Sequence, residues 1–483
     1  MIATEMAPLA KVGGLADVVG ALSPALIRLG HDVRVVLPRY ASIDTSRHKP
    51  DVKDGVTCIQ VACGRTRVPV YLVEGPQHFD RPGIYNDPKD GQGYPDNAER
   101  FIFFQRAGLD LLRKIGFKPD VIHCHDHQTG LIPAYLRLKP AAEPFFAGVG
   151  TLFTVHNLGY QGLFPPQALA AAGFDASLFY PAGPFEFWGK VNFMKVGLSL
   201  ADVITTVSPT YAEEICTPDQ GCGLEGVLAS RRADLHGVLN GIDDEYWNPE
   251  KDTHIKDHFS ADDLAGKARC KTELLKQSGL PAGKKRLPVI GIISRLTEQK
   301  GFDLIEQAMP ELLARDLKMV VLGAGEERYV KMFQEVAKSA PKKVSARIGF
   351  DEPLAHLIEA GADMFLMPSR YEPCGLNQMY SLAYGTVPVA RATGGLADTV
   401  KEEPRAGAPA NGFVFQEYDA RALIGCADRA LAAYADKKRW ELLMRAGMRG
   451  DYSWAGPAKT YAALYSEAAR RAMGARGHVA TLV

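Results

Sequence analysis

The residues best suited to chemistry lie between positions 368 and 376, in the run Pro-Ser-Arg-Tyr-Glu-Pro-Cys-Gly-Leu. This run follows an apolar strand expected at Met364–Met367 and leads into a helix expected to begin near Gly375. A carboxylate at a strand's carboxyl end, here Glu372, can accept hydrogen bonds from sugar hydroxyls. The N–H groups from Cys374 to Leu376 can face a phosphate at the helix start. An ordinary helix cap is the alternative that the spacing leaves open.

Two cations follow another expected strand, at residues 288–293. Arg295 and Lys300 lie in the run Ser-Arg-Leu-Thr-Glu-Gln-Lys-Gly at residues 294–301. Cations beside a diphosphate stabilise the charge that develops when the diphosphate leaves. Solvated loop cations are the alternative interpretation of the same residues.

Two glycine turns open helices in opposite halves of the chain. One is Lys-Val-Gly-Gly-Leu at residues 11–15, and the other is Thr-Gly-Gly-Leu-Ala-Asp at residues 393–398. Backbone N–H groups at a helix start attract phosphate, and glycine lets a ligand come close. Two such turns suit a nucleotide diphosphate that carries a transferable group, although most Gly-Gly pairs are only turns.

Histidines follow two more expected strands. His156 and Asn157 stand at a strand exit and are candidate sugar contacts, although a lone histidine is more often structural. The run His-Cys-His-Asp-His at residues 123–127 resembles a metal cluster at first sight. Zinc sites more often use separated ligand pairs and a fourth partner, which is not evident here. We therefore expect no metal, and we expect Asp126 to contact sugar.

The composition describes an ordinary two-domain protein. The 483 residues exceed what one core usually organises, and 56 basic residues balance 56 acidic ones. A net charge of zero argues against non-specific binding to nucleic acid or to a membrane surface. The eight cysteines are scattered and include no CxxC pair, which favours a reducing compartment. No apolar run reaches transmembrane length, so we expect the protein in the cytoplasm.

Short apolar runs alternate with helical stretches, which predicts parallel sheets covered on both faces. We expect two doubly wound domains, at residues 1–243 and 244–455, and a C-terminal helix at 456–483 that packs back on the first domain. A hairpin-like stretch around Val56–Cys63 interrupts the alternation. Only residues 1–4 precede the first turn, so we expect a very short first strand and a natural chain that begins a few residues earlier.

Taken in order, these motifs resemble the bacterial glycogen synthase and plant starch synthase family. The resemblance covers nearly the whole chain, from Glu-Met-Ala-Pro at residues 5–8 to Tyr461. It implies the GT-B fold, in which two Rossmann-like domains face a central cleft. It also implies a retaining glycosyltransferase that extends an α-1,4-glucan from a nucleotide diphosphate glucose without a required metal or other cofactor. ADP-glucose is the expected donor, because bacterial members of the family use it.

The resemblance also assigns roles to individual residues. It places Glu372, His156, Arg295 and Lys300 at the reacting centre, and Asp126 and Asn157 on the acceptor. The implied donor-binding residues are Lys11, Gly13, Gly14, Asp17, Asn240, Phe350, Cys374, Gly375, Leu376, Thr393 and Gly394, with Phe350 stacked on the nucleotide base.

Departures from the family pattern are few. Val12 stands where many bacterial members carry threonine, Glu225 stands where aspartate is common, and His127 stands where tryptophan is usual. The last change puts the acceptor subsite at that position in doubt. Related transferases such as sucrose synthases commonly have a second glutamate at the position of Tyr380, which favours glycogen and starch synthases.

Other functions remain as alternatives. The donor can instead be UDP-glucose, or the acceptor can be a molecule other than an α-1,4-glucan. A catalytically silent glucan- or nucleotide-binding protein would be expected to lack Lys11, Arg295, Lys300 or Glu372, and all four are present. A glucan phosphorylase needs a pyridoxal phosphate lysine site, for which no motif is found. Oligomeric state, allosteric control and processivity are left open.

Overall fold

The structure, a computed structural model, describes residues 1–139, 144–283, 286–404 and 409–479. It divides into two units, of which unit 1 comprises Met1–Gly241 with Trp454–Val483 and unit 2 comprises Ile242–Ser453. The divisions thus fall within two residues of the boundaries expected from the sequence. Residues 480–483 of the expected C-terminal helix lie outside the described residues.

Unit 1 is built on a largely parallel sheet. Its strands are β1 (Val35–Pro38), β2 (Asp51–Lys53), β3 (Val56–Cys63), β4 (Thr66–Val73), β5 (Val121–His125), β6 (Gly150–Val155), β7 (Leu163–Phe164), β8 (Glu186–Phe187), β9 (Lys190–Asn192), β10 (Val203–Thr206) and β11 (Leu235–Gly237). Two runs, β2-β3-β4-β1 and β5-β6-β10-β11, make up the main sheet, and β7, β9 and β8 form a small antiparallel one. The expected hairpin is β3, which pairs antiparallel with β2 and β4.

The expected short first strand is reduced to a bridge. Ile2 pairs in parallel with Val36 of β1 and with Cys124 of β5. Its N–H donates to the carbonyl of His123 at 2.9 Å, and Ala3 donates to Val36 at 3.1 Å. Residues 1–3 therefore join the two halves of the unit 1 sheet at its centre, where the strand order reverses.

Helices cover both faces of the unit 1 sheet. They are α1 (Gly14–Arg28), α2 (Pro76–Phe79), α3 (Asn97–Lys114), α4 (Ile132–Leu138), α5 (Gln167–Ala171), α6 (Phe193–Leu200), α7 (Pro209–Glu214) and α8 (Glu225–Ser230). In α1 the buried residues recur at helical spacing, including Leu15, Val18, Val19, Leu22 and Leu26. That apolar face holds α1 against the sheet.

Unit 2 has a fully parallel sheet. Its strands are β12 (Val289–Ile293), β13 (Lys318–Gly323), β14 (Val344–Ile348), β15 (Met364–Met367), β16 (Val387–Arg391) and β17 (Phe413–Phe415), in the spatial order β14-β13-β12-β15-β16-β17. This is the doubly wound Rossmann order. In such a sheet a ligand site lies beyond the carboxyl ends of the two central strands, here β12 and β15.

One helix of unit 2 precedes its first strand, and the others lie between the strands or after them. They are α9 (Ala265–Gln277), α10 (Phe302–Ala314), α11 (Glu327–Ser339), α12 (Glu352–Gly361), α13 (Asn377–Ala383), α14 (Gly394–Thr399), α15 (Ala420–Ala435) and α16 (Lys437–Met448). Apolar clusters form on both faces of the sheet. Across the described part of the chain, no helix is long and apolar enough to cross a membrane.

The last helix, α17 (Ala455–Val479), packs on unit 1. Trp454, Ala458, Tyr461, Leu464 and Ala468 are buried in one cluster with residues of α1, β6 and β10. The helix passes so close to β6 that a Cβ on Gly150 would lie 2.6 Å from the backbone of Ala468. Glycine at 150 is therefore required for this packing.

We expect Gly150→Ala to destabilise unit 1, because the added methyl group meets helix backbone that cannot rotate away. Overpacking of this kind costs about 1–3 kcal/mol. Thermal unfolding followed by circular dichroism measures the effect. Gly456→Ala on α17 is the matched control, since its Cβ meets nothing within 4 Å. Equal melting temperatures for the two variants would contradict the described packing.

Candidate active site

The central loops of unit 2 bring together two of the predicted site residues. Lys300 follows β12 and Glu372 follows β15, and the Lys300 Nζ lies 2.6 Å from the Glu372 Oε2. The Ser369 hydroxyl donates to the same oxygen at 3.0 Å. Glu372 is only 5% exposed, so its charge is held by these two donors rather than by water. The other oxygen, Oε1, is left for further hydrogen bonds.

Two glycines bring the neighbouring loop against Glu372. Gly394 has φ +44, and a Cβ there would lie 2.0 Å from the Glu372 carbonyl oxygen. A Cβ on Gly395 would lie 2.0 Å from the Cys374 carbonyl oxygen, and the Gly395 N–H donates to Glu372 at 3.2 Å. The Gly-Gly pair therefore has a packing function at this position: it lets the start of α14 support the loop that carries Glu372.

The loop after β15 differs in one detail from the expectation. Helix α13 begins at Asn377 rather than near Gly375, and Leu376 is its N-cap residue. Gly375 has φ +72, a left-handed conformation that ends the extended segment before the helix starts. Cys374 and Thr393 are buried beside it.

Arg295 and Phe350 lie at strand ends of the same sheet, after β12 and β14. The side chain of Arg295 is exposed, and within the described ranges its guanidinium forms no ion pair. Phe350 is 89% exposed and precedes α12, whose N-cap is Asp351. A residue that stacks on a nucleotide base needs an accessible ring at a strand end, and Phe350 has one.

Tyr380, at the position where related transferases carry a second glutamate, stacks on Trp247. The ring centroids are 4.0 Å apart and the planes 14° from parallel. Trp247 stacks in turn on His356 at 3.9 Å. Tyr380 thus fixes the segment that follows residue 242 against α12 and α13.

In unit 1 the glycine turn is held by a carboxylate that sequence reasoning missed. The N–H groups of Val12 and Gly13, the N-cap of α1, donate to the Glu5 Oε2 at 2.6 and 2.8 Å. Tyr85 donates to its other oxygen at 2.7 Å. Lys11 pairs with Asp17 at 2.7 Å. Glu5 lies in the recognised Glu-Met-Ala-Pro run, but nothing in the sequence indicates that it holds the turn before α1.

Two buried histidines, His123 and His125, and the half-buried His156 form a polar cluster near the ends of β5 and β6. The His125 Nδ1 lies 3.0 Å from the His156 Nε2, and the ring centroids of His123 and His125 lie 3.9 Å apart with the planes tilted by 30°. His123 also bonds Tyr465 of α17 and Thr154. Burial lowers the pKa of His156 to about 3 and the pKa of His123 and His125 well below 6.5. All three are neutral, and His125 orients His156.

Asp126 is fixed against the loop that carries His156. Its Oδ1 accepts the His156 backbone N–H at 2.7 Å, and its own backbone has φ +56, which is uncommon for a residue other than glycine. Burial raises the pKa of Asp126 to about 7, so near neutral pH the carboxyl group can donate or accept. The Asn157 side chain accepts from Gly159 at 3.0 Å.

Asn240 and His127 differ in how completely their polar atoms are used. Asn240 is 6% exposed, and its side-chain oxygen has no hydrogen-bond partner among the described residues. A buried, unpaired amide oxygen is suited to a ligand donor. His127 packs against Phe101 and bonds the Tyr160 carbonyl at 2.9 Å. A Cβ on Gly162 would lie 2.4 Å from the His127 ring, so His127 has a packing role.

In the described part of the chain, the histidines of the run at residues 123–127 are engaged in hydrogen bonds. There, no group of three or more His, Cys, Asp or Glu side chains is arranged to hold a metal ion. Both nitrogens of His123 are engaged by hydroxyl groups. These contacts make His123 a structural residue.

Two family models match this chain. Residues 1–230 match the starch synthase catalytic domain, and residues 273–442 match the glycosyl transferases of group 1. The first match covers β1 to β10 of unit 1, and the second covers the six strands of unit 2.

Curated relatives are similar over nearly the whole length. A glycogen synthase from Syntrophotalea carbinolica is 48% identical over 478 residues, covering 97% of this chain and 98% of the relative. A glycogen synthase from Anaeromyxobacter dehalogenans is 49% identical over 472 residues, covering 96% and 98%.

Solved structures agree with these matches. The catalytic domain of starch synthase IV from Arabidopsis thaliana, bound to ADP and acarbose, has a TM-score of 0.88 and 36% identity, covering 97% of this chain and 98% of that one. Sucrose-phosphate synthase from Thermosynechococcus elongatus has a TM-score of 0.59 at 18% identity, covering 96% and 97%, which shows the fold alone.

The two Rossmann-like units, the two family matches and the starch synthase structure together identify a glycosyltransferase of the GT-B class. The sequence-based expectation of this fold is confirmed. The chain belongs to the glycogen synthase and starch synthase family. It is an enzyme, and members of this family use a nucleotide-sugar donor and a glucan acceptor.

The buried histidines predict a specific loss of stability in acid. Their folded pKa values lie below the value of about 6.5 in an unfolded chain, so the unfolded state binds protons first as the pH falls. The stability that these histidines contribute is therefore full above pH 6.5 and decreases below it, by up to about 1.4 kcal/mol per pH unit for each group. Asp126 opposes this trend, because its raised pKa favours the folded state as the pH falls through 7.

We expect His125→Gln to reduce the slope of apparent melting temperature against pH between 7.5 and 5. Differential scanning fluorimetry at several pH values measures it, and the slope is informative even where the variant is less stable at every pH. The exposed His31→Gln provides the control. Parallel slopes for all three proteins would show that the buried cluster is not the cause.

Proposed function

We propose that this protein transfers glucose from ADP-glucose to the non-reducing end of an α-1,4-glucan, with retention of configuration, as a glycogen synthase. The observation that carries the proposal is the pairing of Lys300 with buried Glu372 at the strand-order reversal of unit 2. The starch synthase neighbour at TM-score 0.88 was solved with ADP, which supports ADP-glucose over UDP-glucose. We place the protein in the cytoplasm.

The donor is held mainly by residues of unit 2. Arg295 and Lys300 bind the two phosphates, and Glu372 accepts a glucose hydroxyl through Oε1 while Lys300 and Ser369 hold Oε2. Phe350 stacks on the base, and the donor site is completed by Cys374, Gly375, Leu376, Thr393 and Gly394. Charge-assisted bonds of this kind are the stronger class of hydrogen bond.

Unit 1 carries the remaining proposed ligand contacts. Lys11, Gly13, Gly14, Asp17 and Asn240 contact the donor, and Asp126 and Asn157 contact the acceptor. His156 stays neutral, and its Nε2 is engaged by His125, so contact with the transferred glucose falls to Nδ1. A neutral imidazole donates a hydrogen bond without repelling a developing positive charge on the sugar.

Retention follows a front-face path in this proposal. A double displacement needs a carboxylate nucleophile close to the anomeric carbon, and Glu372 is instead held by Lys300 and Ser369. The bond between the anomeric carbon and the diphosphate oxygen breaks, and the acceptor hydroxyl oxygen bonds to that carbon from the same face. The leaving diphosphate takes the hydroxyl proton. Arg295 and Lys300 stabilise its charge, so no metal ion or other cofactor is required.

The test is incorporation of label from ADP-glucose or UDP-glucose into precipitable glycogen. We expect incorporation from ADP-glucose, and losses of about 10²–10³-fold in turnover for Arg295→Ala and Lys300→Ala, as for a lost preorganised donor. Lys11→Ala and Glu372→Gln are expected to lower turnover strongly. Lys338→Ala and Glu335→Gln, on the exposed face of α11, are the matched controls.

Each of the other outcomes would overturn a specific part of the proposed function. Incorporation from UDP-glucose alone would overturn the donor assignment. Near-normal turnover in Glu372→Gln would remove its role at the sugar. No incorporation from either donor by folded protein would refute the synthase activity and favour a silent binding protein.

A further inference from the structure

Trp188 is the most exposed large apolar side chain described in unit 1. It is 83% exposed, whereas the other three tryptophans, at 247, 440 and 454, are half-buried or buried. An indole left in water costs hydration free energy that burial would recover. The position of this ring therefore calls for an explanation other than packing.

The backbone conformation at Trp188 is also unfavourable for a bulky residue. Trp188 and Gly189 connect β8 to β9, with φ values of +52 and +77. A two-residue hairpin loop with both residues at positive φ favours asparagine, aspartate or glycine at its first position. A bulky residue there is an outlier, and outliers of this kind are concentrated at ligand-binding sites.

The hairpin is held rigidly under the ring. The Gly189 N–H donates to the Glu186 side chain at 2.8 Å, and Lys195 donates to the Glu186 carbonyl at 2.6 Å. Phe187 meets Trp188 edge-on, with centroids 6.2 Å apart. A Cβ on Gly223 would come within 2.9 Å of the Phe187 ring, so the neighbouring loop packs closely against the hairpin.

One side chain links this hairpin to the loop of the proposed acceptor residues. Gln161 accepts from the Asn192 side chain of β9 at 2.7 Å and donates to the Cys222 carbonyl at 2.9 Å. Gln161 belongs to the same strand-exit loop as His156 and Asn157. The hairpin that carries Trp188 is thus linked to the loop of these two residues by a buried hydrogen-bond bridge.

We propose that Trp188 is a stacking platform for a glucose ring of the glucan acceptor, outside the reacting centre. This inference rests on the proposed function. The C–H groups of a pyranose carry partial positive charge, which the negative face of an indole attracts. A single ring is far smaller than the roughly 800 Å² per partner of a stable protein interface, so a small saccharide fits it better than a second protein.

The substitution Trp188→Asn separates binding from folding. Asparagine suits the first position of this turn, so we expect the melting temperature to stay the same or rise. We expect the KM for glycogen and the Kd for maltoheptaose to rise about three- to tenfold, the loss of one stacking contact. Trp188→Tyr keeps a platform and should retain most of the affinity. Val52→Thr, at an exposed position of β2, is the control.

Binding of maltoheptaose can also be measured without catalysis. Maltoheptaose should change the tryptophan fluorescence of the wild-type protein, and the change should be absent in Trp188→Asn. If the wild type makes glucan but Trp188→Asn keeps its KM and Kd, this inference is wrong and the proposed function stands. If the wild type binds maltoheptaose through Trp188 but transfers no glucose, the platform is supported and the synthase activity fails.

Discussion

The site in unit 2 depends on one close backbone contact, where Gly394 and Gly395 lie against the carbonyl groups of Glu372 and Cys374. Any side chain at either glycine would push the two loops apart. With the loops together, Glu372 is buried and its charge is met by Lys300 and Ser369. A buried carboxylate is tolerated only when such donors are in place, so the backbone contact and the ion pair require each other.

Unit 1 reaches a comparable arrangement by different means. Glu5 accepts the N–H groups of Val12 and Gly13 just before α1, and this fixes the glycine turn that carries Lys11. The histidine cluster fixes the loop of His156 through His125, and α17 reaches the same cluster through Tyr465. In both units, therefore, polar groups buried behind the strand ends hold the loops on which the proposed ligand contacts stand.

The sequence predicts those parts of the molecule that follow from local pattern. Strand β15 has the expected bounds, Met364–Met367, because it is a short apolar run that precedes a helix. The hydrophobic pattern does not predict strands β7, β8, β9 and β11, because strands of two or three residues depend on tertiary partners. The same limit applies to Glu5 and His125, whose partners lie far apart in the chain. The Gly-Gly pair at 394–395 indicated a ligand loop, and its packing against the Glu372 loop is visible only in three dimensions.

The most direct measurement is a double-mutant cycle on kcat/KM for ADP-glucose, with Lys300→Ala, Glu372→Gln and the two combined. If the pair acts as a unit, removing the second partner adds little once the first is gone. We therefore expect the combined variant to lie within about tenfold of the weaker single variant, a coupling well above 1 kcal/mol. Independent losses that multiply in the combined variant would contradict the account.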